Sequence, residues 1–78
     1  SLAVEQRYNE YVMTALRTQW GIQREVVREH FGEDALFHLE EQLLRVKSNS
    51  WIADNGSQIT LTDAGKLFAD HIASELFR

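Results

Sequence analysis

Trp51-Ile52-Ala53-Asp54-Asn55-Gly56-Ser57-Gln58-Ile59-Thr60-Leu61-Thr62-Asp63-Ala64-Gly65 is the stretch that decides the fold. Within it the apolar period drops from about 3.6 residues to about 2 and then returns to the helical value. Asn-Gly is the favoured pair for a two-residue type I′ turn, because both central residues need positive φ. Pairing outward from Asn55-Gly56 sets Ile52 opposite Ile59 and predicts that the two face the core together. Thr62 then stands where a helix N-cap is wanted, with Asp63 in the first turn. Gly65 lies inside that helix at a cost of ~1 kcal/mol relative to Ala, which points to a close backbone approach.

Upstream of the hairpin the pattern is helical. Val4, Tyr8, Tyr11, Val12, Ala15 and Leu16 form one stripe of a helix from about Leu2 to Thr18. After a break at Trp20-Gly21, Ile22, Val26, Val27 and Phe31 predict a short second helix closed by Gly32. Leu36, Leu39, Leu43 and Val46 carry a third, running from Glu33 or Asp34 to Lys47, with acids at its start and Arg45 and Lys47 at its end. Ser48-Asn49-Ser50 is a polar turn. Downstream, Ala64, Leu67, Phe68, Ile72 and Leu76 extend the last helix to the C-terminus. The order helix-helix-helix-hairpin-helix is mainly α with a β-hairpin, a winged-helix-like arrangement in one domain covering residues 1–78.

The chain has 78 residues, 44% hydrophobic and 26% charged, an ordinary globular balance with room for one core. Eight Lys and Arg against 12 Asp and Glu give a formal charge of -4, so the totals carry no footprint for nucleic acid or an anionic membrane. In a DNA-binding winged helix the third helix enters the major groove. Here it carries Glu33, Asp34, Glu40 and Glu41 against Arg45 and Lys47, and the wing has Asp54 and no basic residue.

With no cysteine, the chain holds no disulfide, thiolate metal site or cysteine nucleophile. His30, His38 and His71 lack partners at metal-ligand spacing, and His71 reads as a boundary residue. Ser57, Ser74 and Thr62 lack an adjacent base or elbow glycines. The pairs Glu33-Asp34 and Glu40-Glu41 read as capping and solvation, and Trp20 and Trp51 as packing at element junctions. Catalytic, cofactor-binding and metal residues are therefore predicted to be none. No signal peptide or membrane-length apolar run occurs, so the chain reads as cytoplasmic. It begins at Ser1 with its only methionine at Met13, which points to a domain excised from a longer protein.

Arg7-Tyr8-Asn9-Glu10-Tyr11-Val12-Met13-Thr14-Ala15-Leu16-Arg17-Thr18, followed by Trp20-Gly21-Ile22, resembles the opening of the C-terminal domain of the oxygen-independent coproporphyrinogen III oxidase family, which includes related heme chaperones. Leu61-Thr62-Asp63-Ala64-Gly65, Ala69-Asp70 and Leu76-Phe77 resemble its close. Where many members have Gly-Leu before the wing, this chain has Ser48-Asn49-Ser50-Trp51. The resemblance implies a parent radical S-adenosylmethionine protein, an oxidoreductase or heme chaperone of porphyrin and heme biosynthesis. Its four-iron cluster and S-adenosylmethionine would sit in a barrel preceding this domain, with no cofactor in this chain.

The implied role is a non-catalytic accessory domain that docks on the barrel and helps cover its substrate opening. The candidate docking face is Arg7, Tyr8, Glu10, Tyr11, Arg17 and Trp20, with Arg7, Glu10 and Arg17 as its polar pairs and self-association closing it in the excised domain; the other reading makes these charges a solvated helix face, with Arg7 and Glu10 an i, i+3 pair. The alternative is a DNA-binding or protein-recruiting winged helix of a transcription regulator.

Overall fold

The computed structural model describes residues 2–78. Its elements are α1 (Leu2–Leu16), β1 (Ile22–Gln23), α2 (Arg24–Phe31), α3 (Glu33–Val46), a 3-10 turn (Lys47–Asn49), β2 (Ile52–Asp54), β3 (Gln58–Leu61), α4 (Asp63–Lys66) and α5 (Ala69–Leu76). The protein is mainly helical with a three-stranded antiparallel sheet in the order β1-β3-β2, an arrangement compatible with a winged helix. The core gathers Tyr8, Val12 and Leu16 of α1, Ile22 of β1, Val27 of α2, Leu39 and Leu43 of α3, Ile59 of β3, and Ile72 and Leu76 of α5.

Three sequence expectations change. Ile22 and Gln23 do not begin a helix: they form a strand paired with Ile59 and Gln58, and Arg24 N–H donates to Ser57 O at 3.0 Å. Gly21 makes this possible, since its φ is +68° and a Cβ there would fall onto the Ile59 carbonyl. Thr18 Oγ1 accepts from the Gly21 amide at 3.1 Å and holds the turn.

The hairpin register also moves. Ile52 pairs with Leu61, Ala53 with Thr60 and Asp54 with Ile59, which centres the turn on Gly56-Ser57 instead of Asn55-Gly56. Gly56 has φ +98°, while Asn55 and Ser57 stay at negative φ. Positive φ at the glycine alone excludes the expected type I′ turn, which needs it at both central residues. Asn55 avoids the left-handed region, and its Oδ1 accepts the amides of Ser57 at 3.0 Å and Gln58 at 2.7 Å. A shift of two residues preserves the side-chain parity, so Ile52 and Ile59 still share a face.

The last helix is broken. Thr62 caps α4 as expected, accepting from Gly65 N at 3.1 Å. Gly65 packs on the Trp51 backbone so tightly that a Cβ would overlap the Trp51 carbonyl. The helix then tightens through Leu67 and Phe68, whose amides reach back three residues to Ala64 and Gly65. Phe68 adopts φ -121° and stacks on Trp51 with ring centroids 5.0 Å apart. The expected stripe therefore divides: Ile72 and Leu76 are buried, whereas Leu67 and Phe68 face outward.

Candidate functional site

The residues proposed as a docking face do not form one surface. Tyr8 is fully buried, and its hydroxyl donates to Leu76 O at 2.9 Å. Burial pushes its phenol pKa well above the ordinary tyrosine value, against a smaller lowering influence of Arg78. Tyr11 is half-buried, and its hydroxyl accepts the Gln23 amide at 3.0 Å. Arg7 and Glu10 are exposed on α1. Arg17 reaches α5, where it pairs with Asp70 at 2.7 Å. Trp20 does not pack at its junction as expected and is 58% exposed.

Of these residues only Arg17 lines a groove of about 910 Å³ between the end of α1, β3 and the α4–α5 break. Leu16 through Gln19 form one wall, Thr60 and Leu61 the base, and Lys66 through His71 the other wall. The Arg17–Asp70 pair joins the two walls. Both side chains are more than half exposed, so the pair orients the rim more than it stabilises the fold. Leu67, 82% exposed, and Phe68, 46% exposed, put apolar surface beside these charges, and Trp20 follows directly from the opposite wall. Leu67 and Phe68 escape a sequence reading because they sit at core-like helical spacing until the helix breaks. The interior Gly65 is the available sign that it breaks.

A second arrangement that sequence does not reveal is centred on Arg24. Its guanidinium donates to Glu40 at 2.7 and 2.9 Å and to Asp54 at 2.8 and 2.8 Å, and Lys47 Nζ lies 3.2 Å from Asp54. The fork geometry of arginine suits two carboxylates at once. Hydrogen bonds from Arg24 hold the Asp54 carboxyl well below the usual carboxylate range, assisted by the Gly56 amide and Lys47 and opposed by desolvation. Donating to the Asp54 and Glu40 carboxylates in turn pushes the Arg24 pKa up. The arrangement ties β1 and α2 to α3 and the wing, and it uses Asp54 structurally.

The histidines are dispersed. His38 Nε2 donates to Phe77 O at 2.8 Å, His71 stands edge-on to Trp51 with centroids 5.8 Å apart, and His30 is exposed beside Phe31. Among the described residues no three His, Asp or Glu converge as a metal site. With no cysteine in the chain, these residues do not fit an iron-sulfur cluster. No helix among the described residues is long and apolar enough to cross a membrane.

A family model for the HemN C-terminal domain matches residues 2–68, from α1 to the helix break. No curated protein and no solved structure matches. The Ala69-Asp70 and Leu76-Phe77 elements of the resemblance lie beyond the matched residues. The chain belongs to the HemN C-terminal domain family, the C-terminal domain of HemN-like radical S-adenosylmethionine proteins, an oxidoreductase family.

Proposed function

We propose that this is the non-catalytic accessory domain of an oxygen-independent coproporphyrinogen III oxidase-like protein, or of a related heme chaperone. In this reading it acts in the cytoplasm, docks on the catalytic barrel of its parent and helps cover the substrate opening. The cluster and S-adenosylmethionine belong to the barrel. The observation that carries the reading is the groove rim, where Leu67 and Phe68 present apolar surface beside the Arg17–Asp70 pair. An apolar patch with a polar margin is what an interdomain contact requires.

The test is an amide NMR titration of the 78-residue chain with a HemN-like barrel lacking its own C-terminal domain. The expected result is perturbation at Thr18, Leu67 and Phe68, lost in Leu67→Ser, with no change on adding duplex DNA at low salt. Salt-sensitive binding of duplex DNA, or barrel binding that leaves these amides unmoved, refutes the proposal.

A further inference from the structure

The outward face of α3, opposite its buried stripe of Ala35, Leu39, Leu43 and Val46, carries Phe37 and Leu44 at 67% and 68% exposure. Residues seven apart on a helix lie nearly in line, so the two form one apolar strip along solvent. Asp34 and Glu41 flank it, both exposed and without an ion-pair partner within 4.0 Å among the described residues. Beside Phe37 a shallow cleft of about 620 Å³ opens between Asp34, His38, Glu41, Gln42 and the terminal Arg78. Glu33 and Glu40, which pair with Arg28 and Arg24, run along the other side of the strip, so acids occupy all four positions three and four residues from Phe37; the basic groups nearby are Arg45, which directly follows Leu44, and the terminal Arg78.

We propose that this face of α3 is a second protein-docking surface, whose partner is a positively charged amphipathic helix. Such a helix would set apolar side chains at i, i+3/4 and i+7 against Phe37 and Leu44, and Lys or Arg against Asp34 and Glu41. Apolar anchors fix the register of helix-on-helix binding, while complementary charge selects the partner. A second copy of this chain fits less well. Laying two α3 helices antiparallel with Phe37 on Leu44 brings residues 40 and 41 of each copy to the axis, where glutamates meet glutamates. One aromatic side chain buries about 150–250 Å², so this strip falls well short of the ~800 Å² per partner of a stable dimer. Nucleic acid is repelled by the same acids.

The probe is a 14-residue helical peptide with leucines at i, i+3/4 and i+7 and lysines on the flanks, titrated into the 15N-labelled chain. A counterpart with glutamate in place of lysine is the control. The lysine peptide is expected to move the amides of Phe37, Glu41 and Leu44, and to weaken several-fold when NaCl rises from 50 to 500 mM. Binding should fall by about tenfold or more in Phe37→Ser/Leu44→Ser and in Asp34→Lys/Glu41→Lys. These side chains are exposed, so the variants are expected to fold, and amide dispersion without peptide checks that. Equal binding of the glutamate peptide, or binding unaffected by Phe37→Ser/Leu44→Ser, overturns the proposal. So do shifts confined to the α1–β3–α5 groove, and so do α3 shifts that grow with chain concentration alone, which assign the face to a second copy. Movement of α3 amides on adding a HemN-like barrel also overturns it, by assigning the face to the parent, whether or not the groove amides respond.

Discussion

Replacing Gly65 by alanine sets two opposed effects against each other, and the structure decides between them. Helix propensity alone favours alanine by about 1 kcal/mol. The added Cβ, however, would land on the Trp51 carbonyl oxygen, 2.9 Å from its carbon and 3.1 Å from the Trp51 Cα. These are backbone atoms, and the same carbonyl accepts the Thr62 amide at 2.9 Å. It cannot retreat without loosening that bond and the Trp51–Phe68 stack. Forcing atoms into a packed contact costs about 1–3 kcal/mol, and the weakened hydrogen bond adds about 0.5–1.5 kcal/mol. After subtracting the propensity gain, a net loss of about 2 kcal/mol is expected. At about 4–8 °C per kcal/mol for a domain of this size, Tm falls by roughly 8–16 °C. Thermal melts followed by circular dichroism at 222 nm measure this directly. A Gly65→Ala variant as stable as the parent chain, or more stable, would show that the wing does not clamp α4 and would refute the reasoning.

Asp54→Asn should destabilise the chain by about 1.5–3 kcal/mol at pH 7, the range for hydrogen bonds to charged groups. Because the folded carboxyl is held below its unfolded value, its contribution is present above about pH 4 and disappears as pH falls below it, so urea melts of the two proteins should converge in acid. Tyr8→Phe should cost about 1–2 kcal/mol by leaving the Leu76 carbonyl without its donor. The raised Tyr8 pKa means the folded chain keeps this proton while the unfolded chain loses it. The contribution of Tyr8 is therefore full below about pH 10 and declines above it, and ultraviolet titration should show no phenolate from Tyr8 until the chain unfolds. Leu67→Ser should change Tm by only a degree or two, since the side chain is 82% exposed and such surface changes stay within about 0.5 kcal/mol, while abolishing the response to the barrel.

The elements follow from local chemistry wherever one period governs. The stripes of α1 and α3 are strong enough to set their faces, and Gly65 states its own close contact because nothing else justifies a glycine inside a helix. β1 is not legible, because two residues carry no period. Its existence depends on a free edge of β3, which is known only once the sheet has formed. The turn is a closer case. Asn55-Gly56 and Gly56-Ser57 are both hairpin pairs, and the choice between them turns on how Asn55 uses its carboxamide. In the second register Asp54 stands beside Ile59, and its carboxylate meets Arg24.

The surfaces assigned a function are the least legible, and the reason is the same for both. Periodicity reports which side chains share a face and is silent on whether anything covers it. Leu67 and Phe68 satisfy the helical spacing of a core stripe, and only the break between α4 and α5, imposed by the Trp51 contact, turns them outward. Phe37 and Leu44 offer a clue that Leu67 and Phe68 do not. Each directly follows a member of the Leu36, Leu39, Leu43 and Val46 stripe, one residue further around the helix, so both fall outside the set that the core absorbs. A large apolar residue off the stripe is unremarkable singly, but a pair seven apart falls on one line between Asp34 and Glu41. That pairing separates α3 from the recognition helix of a DNA-binding winged helix, whose outward face has to be basic to meet phosphate.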